Sequence, residues 1–96
     1  MFKLKALPYF RDKYLDFTKN NINLKKRIDK TLGFLGNNPL SLSLRSHRVE
    51  SKNFGRKWSS WVTGDIRIIW DYSENEIRVL NILDLGSHSG KDKVYI

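Results

Sequence analysis

The chain has no cysteine, two prolines, one methionine and two histidines among its 96 residues. Without cysteine there is neither a disulfide nor a thiolate metal site, so the fold rests on apolar packing alone and suits a reducing compartment. Zinc would need a third or fourth nitrogen or sulfur ligand beyond the two imidazoles, and Asp65 completes at most a weak site, so no metal or other cofactor is expected. Long apolar runs are missing as well. No stretch approaches the roughly 20 residues that span a bilayer, and Met1 to Phe10 carries scattered lysines and a proline where a signal peptide has an apolar core. The expectation is a soluble, cytoplasmic protein without membrane contact. Phosphate-cradling glycine loops are also absent, since Gly86-Ser87-His88-Ser89-Gly90 has neither the lysine nor the length of one. No serine stands in a nucleophile-elbow sequence.

Acidic side chains are few relative to basic ones: 10 Asp and Glu face 18 Lys and Arg, a formal charge of +8. The imbalance is uneven. Residues 1–57 hold 14 basic and 4 acidic side chains, a local charge of +10, whereas residues 58–96 hold 4 and 6, a local charge of −2. A field of that sign gathers polyanions such as nucleic acid, or acidic protein partners. A chain this short buries about 60 to 65% of its unfolded surface and supports a single core, so residues 1–96 read as one domain.

Phe2 and Leu4 alternate with Lys3 and Lys5, which predicts a short first strand. Pro8 suits the first turn of a helix, where its missing N–H costs nothing. Phe10, Tyr14 and Phe17 then recur at helical spacing, so residues 8–19 read as a helix that Asn20 and Asn21 break. Leu24, Ile28, Leu32 and Leu35 share one face of a second helix, with Lys25, Lys26, Arg27 and Lys30 directed elsewhere, and Gly36-Asn37-Asn38-Pro39 ends it. Beyond Pro39 the period changes. Trp58 to Val62, Ile66 to Tyr72 and Ile77 to Leu85 are β-branched and aromatic stretches bounded by turn residues, with Ser73-Glu74-Asn75-Glu76 as a hairpin loop and a short last strand at Val94 to Ile96. The fold class is α+β: an N-terminal strand and a two-helix hairpin packed on one face of a three- to four-stranded antiparallel sheet.

Alternation along the middle strand puts Asp65, Arg67 and Ile69 on one face and Ile66, Ile68 and Trp70 on the other, the latter toward the core. Asp65 and Arg67 are then either a structural ion pair, worth little if exposed, or the floor of a phosphate site. His47 opens a basic connection that ends at Arg56-Lys57, and His88 lies in a small polar turn after the strand ending at Leu85. Metal-free RNA cleavage needs one group to take the 2′-OH proton and another to protonate the 5′-oxygen, and two imidazoles brought together suffice. Trp58, Trp61 and Trp70 stack on bases or, for Trp70 and one of the others, fill the core.

The run Trp58-Ser59-Ser60-Trp61-Val62-Thr63-Gly64-Asp65-Ile66-Arg67-Ile68-Ile69-Trp70-Asp71-Tyr72, with Ile82-Leu83-Asp84-Leu85-Gly86-Ser87-His88 and Lys93-Val94-Tyr95 after it, resembles the YafQ-like branch of the RelE/ParE toxin superfamily. Asn38-Pro39-Leu40, Leu44 and His47-Arg48-Val49 fit the same pattern, and the segment from Gly86 to Tyr95 is longer than a minimal YafQ-like ending. The resemblance implies a small toxin of a toxin–antitoxin system with two helices against a curved antiparallel sheet, cutting messenger RNA, often on the ribosome, without metal. By the YafQ-like pattern His47, Asp65 and His88 are its catalytic residues. By the RelE pattern Arg67 contacts the scissile phosphate and Tyr95 acts near the 2′-OH. Arg45, Arg48, Lys52, Arg56, Lys57 and Lys91 would hold the RNA backbone, and Asp65 would orient a neighbouring histidine. An acidic, partly disordered antitoxin would cover the basic surface and fold on binding. Two other readings share the pattern: a ParE-like gyrase poison, and a decayed module that only binds antitoxin or operator DNA.

Overall fold

The computed structural model describes residues 1–96 and consists of two helices and a five-stranded sheet. Strand β1 (Lys3–Ala6) leads through Leu7 into helix α1 (Pro8–Thr18), with Pro8 in the first turn as its missing donor dictates. Asn21 caps helix α2 (Ile22–Asn37), its side chain accepting a hydrogen bond from the Leu24 amide at 3.0 Å. A 3₁₀ turn, Leu42–Leu44, precedes β2 (His47–Ser51), β3 (Gly55–Trp61), β4 (Ile66–Tyr72) and β5 (Val79–Ser87). No helix is long and apolar enough to cross a membrane.

The sheet order is β1-β5-β4-β3-β2, antiparallel except that β1 pairs parallel with β5. Three expectations change here. The sheet has five strands and is mixed, because β1 joins its edge beside β5. The basic segment from His47 is a strand, not a connection. Residues 94–96 form no strand; Tyr95 and Lys93 make isolated bridges to Ser51 and Ser87. Helix α2 ends within Gly36-Asn37-Asn38-Pro39 as expected, with Gly36 in its last turn. A Cβ there would sit 3.4 Å from the Phe2 carbonyl, and the bare backbone lets the Phe2 amide donate to Gly36 O.

Both helices pack on one face of the sheet. Phe10, Ile28 and Leu35 meet Ile68, Trp70, Leu80, Ile82 and Leu85 there, with Trp58 stacked on Trp70 at 5.5 Å between ring centroids. The opposite face carries a smaller cluster of Ile69, Leu83 and Val94, flanked by Val49, Phe54 and Tyr95. A bulge at Leu83, where pairing shifts from Ile69–Asp84 to Trp70–Ile82, turns Leu83 into that second cluster. Two polar links fasten the helices. Tyr14 on α1 donates to Asp29 on α2 at 2.6 Å, and Lys25 donates to the same carboxylate at 2.9 Å. Those two bonds hold the Asp29 carboxyl below its ordinary value; burial, then the Asp29 bond, raises the Tyr14 phenol, and the Asp29 bond raises Lys25. Lys13 meanwhile reaches 3.2 Å from the fully buried Asp84 carboxylate of β5.

Candidate active site

A relay of hydroxyls fixes the segment that carries His47. The Trp70 indole donates to Ser60 Oγ at 2.8 Å; Ser60 and Ser46 are 2.7 Å apart, and Ser46 donates to the Pro39 carbonyl at 2.6 Å. Since the last acceptor is a carbonyl, every hydroxyl proton in the chain points from the core toward the loop. Arg45 follows in the left-handed region, φ 49°, and its carbonyl lies 2.9 Å from His47 Nδ1. A carbonyl only accepts, so in this contact Nδ1 carries the proton and Nε2 of the neutral ring presents a lone pair to solvent. His47 stands opposite Ser59 in the β2–β3 pair, which places both on the face away from the helices.

The C-terminal segment crosses that face. Ser87 donates to the Asp92 carbonyl and Val94 to the Ser87 carbonyl, which folds residues 88–93 into a turn beyond β5. Lys52 donates to the Val94 carbonyl at 2.7 Å and Ile96 to the Glu50 carbonyl at 3.2 Å, so the segment reaches the outer edge of β2. Val94, in the middle of this strap, is fully buried against Ile69 and Leu83 of the sheet. Tyr95 is thereby brought to Ser59, hydroxyl to hydroxyl at 2.6 Å, and the His88 ring stands edge-on to the phenol with centroids 5.5 Å apart. The His88 amide donates to the Asp65 carbonyl at 2.7 Å, tying its turn to the β3–β4 turn. Tyr95 therefore touches both Ser59, the strand partner of His47, and His88, whose turn is held by the backbone carbonyl of Asp65.

No protein-family model matches the chain, and no curated protein sequence matches it. Solved structures do. A YoeB/ParE toxin from Agrobacterium tumefaciens superposes with a TM-score of 0.73 at 15% identity, over 92% of this chain and 100% of the other. The YoeB-YefM toxin-antitoxin complex from Staphylococcus aureus gives 0.65 at 15% identity over 88% and 93%. YafQ from Escherichia coli gives 0.62 at 15% identity over 91% and 93%. This is the RelE/YoeB toxin fold.

Within the RelE/YoeB fold of this chain, Arg67 is placed differently from a free phosphate ligand. It is 3% exposed, donates from one terminal nitrogen to the Thr63 and Ile66 carbonyls at 2.8 and 3.3 Å, and stacks 4.1 Å from the Trp61 ring. Its Nε is buried without a partner. Asp65 and Arg67 form no ion pair; Asp65 is exposed at the turn and Arg67 stabilises the turn's carbonyls. The six basic residues also divide. Because 47–51 is a strand, His47 and Val49 face one way while Arg48 and Glu50 face the other: Arg48 lies over Trp58 at 5.5 Å, and Arg56, opposite Glu50, shares its side. Lys57 is on the His47 side, bound to Asp71 at 3.2 Å. Arg45 stacks on Trp61 at 4.6 Å; Lys52 and Lys91 lie exposed at the two ends of the strap. Sequence reasoning missed Ser59, Ser60 and Ser46; the first two are marked only by the tryptophans that flank them, and nothing in the sequence marks Ser46.

Proposed function

We propose that this protein is a toxin of a toxin–antitoxin system and a cytoplasmic endoribonuclease that cuts messenger RNA, on its own or on the ribosome. The observation that carries this reading is the meeting of Tyr95, His88 and Ser59 with His47 opposite, since it gathers two imidazoles and a phenol from distant parts of a strongly basic chain. His47 is the base: its free Nε2 takes the proton from a ribose 2′-OH, and the 2′-oxygen attacks the adjacent phosphorus. His88 is the acid: it gives a proton to the 5′-oxygen as the P–O5′ bond breaks, leaving a cyclic 2′,3′-phosphate and a 5′-hydroxyl. Tyr95 donates to a non-bridging oxygen as charge grows there, exchanging its Ser59 contact for the phosphate. Asp65 holds the His88 turn through its carbonyl. Arg67 acts by positioning Trp61 and the β3–β4 turn, while Arg45, Lys52 and Lys91 supply the mobile positive charge for the RNA backbone. The basic surface suits an acidic antitoxin, as the partnered S. aureus relative illustrates.

Inducible expression with 5′-end mapping of transcripts tests the proposal. Wild type is expected to produce new 5′-hydroxyl ends and arrest growth. His47→Ala/His88→Ala, a change at two exposed positions, is expected to abolish both while the protein stays folded. Full toxicity in that variant ends the ribonuclease reading. The Agrobacterium relative is described as YoeB/ParE, so the fold also accommodates a gyrase poison; intact transcripts with broken DNA would identify that activity instead.

A further inference from the structure

Between the middle of α2 and the turn before β2 lies an open cleft of about 320 Å³, reaching Trp61 and Val62 at the end of β3. That volume is at the small-ligand end of the range for binding sites. Arg27, Lys30, Thr31 and Phe34 line it from a single stripe of the helix, and Ser43 and Trp61 line it from the turn and from β3. Its chemistry is one-sided. No carboxylate lines it, and neither Arg27 nor Lys30 has an ion-pair partner. The Phe34 ring is 41% exposed, with the Lys30 ammonium 5.8 Å from its centroid. The cleft lies on the helix side of the sheet and is joined to His47, on the other face, through the chain and through Trp61. Ser43 and Leu44 lead directly into Arg45, which stacks on Trp61, and then into His47.

We propose that this cleft is a nucleotide subsite for single-stranded RNA, holding a phosphate between Arg27 and Lys30 and a base against Phe34, on a strand that passes the edge at Arg45 and Trp61 on its way to His47. It rests on the ribonuclease reading, of which it is an extension. Unpaired cations beside an exposed aromatic ring fit a nucleotide's two halves, charge and π-face. An acidic peptide would satisfy the cations alone and leave the ring unused.

The test is binding of a fluorescent 2′-O-methyl RNA oligomer, which the proposed chemistry cannot cleave, measured by anisotropy on the full chain. Arg27→Ala/Lys30→Ala is expected to weaken binding by about tenfold and to reduce the slope of log affinity against log salt by about 0.7, the value for one phosphate no longer neutralised on a single strand. Phe34→Leu is expected to weaken binding about fivefold, and to have no effect on an abasic strand. Lys3→Ala/Lys26→Ala removes the same charge from exposed positions outside the cleft and is expected to leave the slope unchanged. Equal losses from the two pairs overturn the site, as does an unchanged Phe34→Leu variant. Displacement of the strand by polyglutamate as readily as by unlabelled RNA also overturns it, and points to an acidic peptide. Cleavage of unmodified RNA by the wild type separates the two claims: cleft-dependent binding by a wild type that cleaves nothing retains the subsite and removes the ribonuclease.

Discussion

A methyl group at Gly86 would run into the Asp92 carbonyl oxygen and lie 2.6 Å from Val94 Cγ1. Both atoms belong to the strap, so the absence of a side chain at this one position lets the C-terminal segment lie flat on the sheet. Gly86→Ala is expected to cost about 1 to 3 kcal/mol, as overpacking does, and to lift Tyr95 from Ser59. RNA cleavage should fall further than thermal stability does; an alanine variant as active and as stable as wild type would mean that the strap can shift freely. Arg67 teaches the converse at the same scale. Alternation correctly gave its face, but burial follows from Trp61 covering it, and that contact joins neighbouring strands whose pairing the sequence does not display. His47 and His88 could be singled out in the sequence because they are the only two imidazoles, and Tyr95 through the family resemblance. Ser59 was not, because a serine acquires a role only when Tyr95 arrives from 36 residues away.

At the scale of elements, the helices were readable almost to the residue, since Pro8, Asn21 and Asn38-Pro39 punctuate two clear apolar stripes. Strand β2 was hidden. It is an exposed edge strand in which only Val49 and Ser51 turn inward, so its basic residues outweigh its alternation. Two predictions belong here. Lys13→Met removes the only cation paired with the buried Asp84 and is expected to destabilise the α1–β5 contact by about 3 kcal/mol, because it leaves a carboxylate without its charge partner. Lys13→Met/Asp84→Leu, which removes both charges, should recover much of that loss in denaturant melts; a double variant no better than the single one would show that the pair contributes nothing. The second concerns acid. Asp29 is depressed below its ordinary 3.8 in the folded state, so its contribution is complete above that value and is lost as pH falls through the lower folded one. Tyr14 is raised above 10.0 and Lys25 above 10.5, so their contributions hold below those values and fade at more alkaline pH. Tyr14→Phe is expected to lower stability by about 0.5 to 1 kcal/mol at neutral pH, and the gap from wild type should narrow below pH 3.8. A gap of constant size from pH 7 to pH 3 would refute the assignment.

For the molecule as a whole, the α+β class, the single core and the helices on one face were legible, whereas the mixed sheet was not. Direction of pairing between β1 and β5 is set by strands some 75 residues apart, and nothing local encodes it. The charge, by contrast, was legible in amount and misread in placement: strand alternation spreads Arg48 and Arg56 to the side opposite His47, leaving Arg45, Lys52 and Lys91 around the strap and Arg27 and Lys30 in the cleft. The strap itself carries one last consequence. Residues 92–96 follow every strand in the chain, yet they seal the β2 edge and deliver the phenol. Because these residues are synthesised after all five strands, the Tyr95–Ser59 contact closes over the open face only once every strand of the sheet has emerged.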